Sequence, residues 1–283
     1  MNATTSHPET ERRLPHGHEA AARDYHKLAK RIEALANGEW RGELGGLVSG
    51  YPFFVLRHSV AADAPTILLT AGMHGDEPAG VEAALQWREG DAWRSWPVNW
   101  LVLPCINPSG WAHDRRTNAD GQDINRHFLD PDQCPEAAMV RRVLGHQHFV
   151  LAMDLHEDSD AAGYYLCETK TEPPFLGERI PQTLAGLMPV ADNTRLDGRR
   201  AQGPGWVLRV ARRNAFERRR QWPLAFHLTA CCTDHFICSE TPTHLPLDLR
   251  VRAHLAVLQE ALRFATGALS DETNPAKPIV NQP

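Results

Sequence analysis

The chain has 283 residues, 42% of them hydrophobic and 23% charged, enough apolar material for one large domain with a buried core. A formal charge of −5 speaks against a surface dedicated to nucleic acid or anionic membrane, and no apolar run approaches the roughly 18 residues of a membrane helix. The start lacks the basic and apolar segments of a signal peptide, and the six cysteines include no C-x-x-C pair, so the expected setting is a reducing cytoplasm.

Residues 1–20 are polar and expected to be flexible; a single domain is expected over 21–268 and a tail over 269–283. Leu28, Ile32 and Leu35 space an amphipathic helix over 21–37, closed at Asn37 and Gly38. The stretch 44–58 predicts an edge hairpin turning at Gly50. The apolar run 66–70 then leads into Ala71-Gly-Met-His-Gly-Asp-Glu-Pro-Ala79, which reads as strand, tight glycine loop and helix, with Pro78 near the first helical position. A strand at 100–104 follows, and 105–135 is loop-like and dense in Arg, Asn, Asp and Gly. A helix at about 136–147 precedes a strand at 149–154 that delivers Leu155, His156, Glu157 and Asp158. Beyond it the pattern suggests a strand at 164–167, a helix at 175–188, a buried strand at 236–242 and a helix at 246–266, while 193–223 shows no clear period. Strands alternating with helices, most of them apolar enough for burial on both faces, predict an α/β fold with a mixed, largely parallel central sheet flanked by helices.

Three of these strands end in residues with chemical potential: His74 with Glu77, His156, and Glu240. An H-x-x-E pair is common by chance and also describes an exposed histidine beside a helix acid. Taken with His156, it makes a set of two histidines and one carboxylate that leaves a zinc position open, the mark of a catalytic site. Glu240, in an apolar segment where an idle acid is costly, suits a base that takes a proton from a zinc-activated water; the plainer alternative is a capping or salt-bridged acid. The segment from Arg115 to Phe128 offers paired guanidinium groups and an asparagine amide suited to grip a carboxylate, or else is a solvated polar loop.

With these residues the sequence resembles the zinc metallocarboxypeptidase family, the carboxypeptidase A-like enzymes, from about residue 64 to 265. The match rests on His74 and Glu77; on the turn Asn107-Pro-Ser-Gly110; on Arg116, Asn118, Gly121, Asp123, Asn125, Arg126 and Phe128; on Asp154 and His156; and on Glu240. The resemblance implies a phosphorylase/hydrolase-like fold and one Zn2+ per chain held by His74, Glu77 and His156. It implies that Glu240 is the general base, that Arg116 polarises the scissile carbonyl, and that Asn125 and Arg126 hold the substrate carboxylate. Asp154 is the expected partner of a ligand histidine, with His127 and Glu157 as further supporting candidates.

Two departures accompany the match. The tyrosines stand only at 25, 51, 164 and 165, so the family's capping tyrosine before the catalytic glutamate is missing. In its region lies Arg212 to Trp222, whose five arginines form either a basic surface or a site for acidic substrates. The cluster His227, Cys231, Cys232, Asp234, His235 and Cys238 matches no zinc spacing and reads as buried thiols on core strands with a loop histidine between them.

The expected partner is therefore a peptide cut at its C-terminal residue. The related succinylglutamate desuccinylase and aspartoacylase group shares the residues but would take an N-acyl amino acid. The 43 residues from Thr241 to Pro283 suit one closing helix and a tail rather than an appended β domain, which favours the peptidase. A non-catalytic peptide-binding protein would have lost a ligand or the base, and all four residues are present. The sequence leaves the oligomeric state open.

Overall fold

The computed structural model describes residues 23–208 and 220–267. The expectations for 1–20, for the tail over 269–283 and for most of the arginine run before Trp222 lie outside the described residues.

Helix α1 (Tyr25–Leu35) is capped by the Asp24 carboxylate, which accepts from the Lys27 N–H, and buries Leu28, Ile32 and Leu35 as its spacing predicts. Strands β1 (Trp40–Val48) and β2 (Tyr51–His58) form the edge hairpin. Its turn places Ser49 and Gly50 at φ 50° and 81°, a two-residue turn that needs left-handed backbone at both positions. Then follow β3 (Thr66–Ala71), α2 (Pro78–Glu89), β4 (Asn99–Leu103), α3 (Pro108–Ala112), α4 (Pro135–Leu144), β5 (Leu151–Asp158) and β6 (Tyr165–Thr169). The remainder is α5 (Ile180–Thr183), the short β7 (Arg195–Leu196), β8 (Arg199–Arg200) and β9 (Trp206–Leu208), α6 (Leu224–Cys231), β10 (Phe236–Pro242) and α7 (Leu247–Ala265).

Eight strands make one sheet in the order β1-β2-β4-β3-β5-β10-β6-β9. The four central strands, β4, β3, β5 and β10, run parallel, while β1, β2 and β6 join antiparallel. The expected mixed, largely parallel sheet is present, and both faces are covered. On β3, Ile67, Leu69 and Ala71 pack with α1, α2 and α7, whereas Leu68 packs with α4 and α6. Burying each of these leucine and isoleucine side chains contributes about 1.5–3 kcal/mol, which is why an alternating apolar strand commits to two helical layers.

Four segments differ from the sequence expectation. Strand β5 does not stop before His156. Parallel pairing continues through Glu240 with His156 and Thr241 with Glu157, so the ladder carries the strand to Asp158. The loop at 105–135 contains α3, because Asn107 accepts from the Gly110 N–H at 2.8 Å and Pro108 occupies the first helical turn. The helix expected over 175–188 shrinks to a 3-10 turn over Leu176–Arg179 and α5; a side chain at Gly177 would lie 1.9 Å from the Trp206 ring, so packing against β9 replaces helical continuation. Helix α6 and strands β7, β8 and β9 had no sequence signal, since 224–231 is apolar on nearly every side and the three strands are two or three residues long.

A buried ion pair ties α7 to the sheet: Arg250 donates to both carboxylate oxygens of Glu157, at 2.5 and 2.6 Å. Burial pushes Glu157 up to about 7 even with this partner beside it. Arg250→Met should therefore cost about 3–5 kcal/mol by stranding that carboxyl, and adding Glu157→Gln should recover part of it; urea unfolding of the single and double variants measures both.

Candidate metal centre

The functional side chains gather at the carboxyl ends of β3, β5 and β10, where open α/β sheets place their ligand sites. The loop after β3 is pinned by two close approaches. Gly72 has φ 64°, and a side chain at Gly75 would meet Gly110 backbone at 1.9 Å, so this loop folds flat on α3. That packing holds His74 over the sheet and sets Glu77 at the N-terminus of α2, where the helix dipole favours a carboxylate. His156 and Glu240 arrive on adjacent parallel strands in direct register and share the sheet face that carries Ala152 and Phe236.

His74, Glu77 and His156 meet as the sequence predicts. His74 Nδ1 lies 2.6 Å from Glu77 Oε1, and His156 Nδ1 lies 2.8 Å from Glu77 Oε2. Each ring is backed at its other nitrogen. His156 Nε2 is 2.9 Å from Asp154 Oδ2, and Asp154 is itself held by the Thr70 hydroxyl at 2.7 Å. His74 Nε2 lies 3.3 Å from Asp123 Oδ1 without hydrogen-bond alignment. Glu77 also accepts the Glu157 N–H at 3.1 Å.

This arrangement fits a metal ion. The three side chains each offer one ligand atom, all within 4.8 Å of one another, and all three are at least 96% buried. Both Nδ1 atoms aim at one carboxylate while Asp154 fixes the opposite nitrogen of His156 and Asp123 lies beside that of His74, a backing that suits imidazoles for coordination. A cation already stands beside the set, with Arg116 Nη1 3.3 Å from His74 Nδ1 and 3.6 Å from Glu77 Oε1.

The electrostatics follow from this geometry. Burial works against charge on Glu77, yet His156 and His74 hold it down to about 2. Burial also opposes charge on both imidazoles, but Asp154 and Glu77 raise His156 well above its ordinary value, and Glu77 and Asp123 raise His74. Without metal these partners favour the protonated rings, and a metal must compete with those protons. Affinity should weaken as pH falls and strengthen as pH rises, with protons released on binding; calorimetric titration in buffers of different ionisation heat measures the release.

A cavity of about 970 Å³ opens over these residues, lined among others by Arg116, Asn125, Arg126, Tyr165, Cys238 and Glu240. Arg116 and Arg126 are half exposed and flank Asp123, at 3.2 and 3.7 Å. Asn125 accepts the Leu224 N–H on its side-chain oxygen at 2.8 Å, which leaves its amide nitrogen as the atom with donor capacity. Burial pushes Glu240 up to about 7, and the Cys238 thiol donates to it at 3.2 Å.

Other expectations fall elsewhere. Asp154 serves as anticipated, whereas His127 is only half-buried and does not line the cavity. Glu157 acts through its backbone N–H on Glu77 and its ion pair with Arg250. Asn118 is fully buried and braces its loop, accepting from the Asp120 and Gln122 N–H groups and donating to Glu136. Of the cysteine cluster only Cys238 is strand-borne as expected, on β10; His227 and Cys231 lie on α6 with Cys231 exposed, Cys232 caps that helix, and the loop histidine His235 pairs with buried Glu168 at 2.8 Å. Burial and Arg141 push His227 down to about 4.

Tyr165 was missed. It lines the cavity, pairs across from Glu240 in the sheet and donates to Asp158 at 2.8 Å. No spacing rule could have found it, since an antiparallel partnership of β6 with β10 is a tertiary fact. Of the arginine run, Arg220 is described and lines the same cavity with Arg199.

Comparison with known proteins agrees with this geometry. A family model described as succinylglutamate desuccinylase/aspartoacylase catalytic domain matches residues 63–189. Carboxypeptidase SOL1 of Arabidopsis thaliana is 30% identical over 130 residues, 41% of this chain and 25% of that protein, so the chain spans about a quarter of this curated relative's length. A candidate metallopeptidase from Shewanella amazonensis has the same fold, with TM-score 0.67 and 23% identity over 85% of this chain and 91% of that one. A metallo-carboxypeptidase from Burkholderia cenocepacia superposes with TM-score 0.60 and 17% identity over 86% of this chain and 69% of the other. Over residues 63–189 the chain resembles the succinylglutamate desuccinylase/aspartoacylase catalytic domain, and it shares its fold with metallo-carboxypeptidase structures.

Proposed function

We infer that this protein is a zinc-dependent carboxypeptidase that hydrolyses the C-terminal amide bond of a peptide. The observation that carries the reading is the convergence of His74 Nδ1, His156 Nδ1 and the Glu77 carboxylate in a cavity that also presents Glu240, Arg116, Asn125 and Arg126. Zinc held by His74, Glu77 and His156 would supply Lewis acidity, acidifying water and polarising a carbonyl.

The chain's own groups provide the rest. Glu240 takes the proton of the attacking water and passes it to the departing amine, a task that suits a carboxyl poised near neutrality. Arg116, beside the ligand set, donates to the carbonyl oxygen as negative charge develops there. Arg126 and the Asn125 amide nitrogen hold the substrate's terminal carboxylate, fixing which bond lies over Glu240. Asp154 keeps the His156 imidazole oriented, and Asp123 places its negative charge beside His74 Nε2.

The family match over 63–189 favours one second reading, hydrolysis of an N-acyl amino acid, which carries the same free carboxylate. A mass-resolved panel separates the two: free peptides, C-terminally amidated copies and N-acyl amino acids, with zinc-loaded protein. Loss of one residue from free peptides alone supports the carboxypeptidase. Turnover confined to N-acyl amino acids assigns the acylase, and cleavage of amidated peptides at equal rate overturns the carboxylate grip.

A further inference from the structure

The far side of α6 carries a second group of ligand-bearing residues. Ala225 and Phe226 line the cavity, but His227, Cys231 and Cys232 do not. His227 and Cys231 are four residues apart and so share a helix face, and Cys232 closes the same turn. Cys231 Sγ lies 3.6 Å from His227 Nδ1 and 3.7 Å from Cys232 Sγ, while Cys232 Sγ lies 4.0 Å from His227 Nε2. One imidazole nitrogen and both sulfurs fall within 4.8 Å of one another.

We propose that His227, Cys231 and Cys232 form a second metal site, selective for thiophilic ions of the zinc and cadmium class. The spacing is the main argument. Metal–sulfur bonds of about 2.3 Å and metal–nitrogen bonds of about 2.0–2.1 Å at a tetrahedral centre set ligand separations of about 3.8 Å between sulfurs and about 3.6 Å between sulfur and nitrogen. The 3.7 Å between sulfurs and the 3.6 Å from Cys231 Sγ to His227 Nδ1 match those separations. The 4.0 Å contact of Cys232 Sγ is to the other ring nitrogen, and with a single nitrogen as ligand the three atoms lie within 4.8 Å, a gap that side-chain rotation closes. Two sulfurs and an imidazole are a soft donor set that discriminates against magnesium and calcium. Binding exchanges two S–H bonds for two metal–sulfur bonds and releases two protons to solvent, with no change of oxidation state.

The surroundings suit such an ion. His227 is buried and stacks on Phe128, with ring centroids 6.3 Å apart, which fixes the imidazole plane. Burial and the neighbouring Cys231 push the Cys232 thiol up to about 12, with the positive charge of Arg141 on α4 acting against them, so an ion must displace that proton to bind. Cys232 is buried but Cys231 is exposed, so an ion can enter from solvent and the fourth position faces outward.

Cadmium titration of metal-stripped protein, reduced and kept free of oxygen, tests the site by stoichiometry and by ultraviolet thiolate-to-cadmium absorption. The expected result is a thiolate-bound equivalent that survives Glu77→Gln, which removes a ligand of the first site, and weakens at least tenfold in Cys231→Ser. The exposed position of Cys231 lets that variant fold, and Cys231→Ala should repeat the loss. Absence of thiolate absorption in the parent protein, or absorption unchanged in both Cys231 variants, would overturn the proposal. The reading of the first site stands or falls separately, on the equivalent lost in Glu77→Gln.

Discussion

Glu240→Gln should lower kcat by about 10²–10⁴-fold while leaving the fold and the metal content unchanged. The amide keeps the volume and one hydrogen-bonding oxygen of the carboxyl, so β10 stays paired with β5 and β6 and the Cys238 contact retains an acceptor. What disappears is the capacity to take a proton. Glu240 is not among the three ligand side chains, so binding of zinc should be close to that of the parent protein. Burial pushes this carboxyl up to about 7 in the metal-free chain, and a dication next to it favours the ionised form, so the acid limb of kcat/KM should lie below 7. Activity should rise with pH along that limb as the proton leaves, and the limb should be missing in the glutamine variant. Steady-state kinetics across pH, with metal content and thermal unfolding as controls, measure all three. A variant within about threefold of the parent kcat would remove Glu240 from the chemistry.

His156→Ala should have the other large effect, at two levels. Loss of one of three ligands should lower metal affinity by more than the about 10–100-fold seen when a supporting residue is removed, and activity should fall with it. The metal-free protein should also lose stability, because Asp154 and Glu77 both rest on that ring and would remain as buried carboxylates without it. Each unsatisfied group costs about 1–3 kcal/mol, more when charged. Asp154→Asn provides the contrast: the ring keeps a hydrogen-bonding neighbour, so affinity should fall by about 10–100-fold with little loss of fold. Elemental analysis after dialysis against graded chelator and denaturant unfolding of the metal-free forms separate ligand loss from stability loss. Equal metal content in parent and His156→Ala proteins would exclude this residue as a ligand.

Much of the centre was legible because its parts are local. His74 and Glu77 are three residues apart on a loop that two glycines and Pro78 announce, and the apolar strand before them is unambiguous. Asn107 and Pro108 carry a local cap signal as well, yet the stretch 105–135 reads as loop and α3 appears only in the structure. His156 and Glu240 were legible as polar residues at the ends of apolar runs, though the strand boundary near His156 was set by β10 and not by its own sequence. The helix expected over 175–188 failed for the opposite reason, since Trp206 from a distant strand claims the space over Gly177.

The sequence by itself determined the class of fold, the three candidate ligands and the candidate base, because apolar period and short-range spacing act over a few residues and need no partner. Only the tertiary structure decided which nitrogens face Glu77, that Asp123 stands beside the second nitrogen of His74, that Tyr165 lies across from Glu240, and that His227 meets both Cys231 and Cys232 on a helix the sequence did not show. The positions of Asp123 and Tyr165 and the meeting of His156 with Glu77 depend on strand register or on packing between segments far apart in the chain, and His227 meets its cysteines only because 224–231 forms a helix. Such contacts are selected by close packing of the whole core, and a single sequence carries no local trace of them.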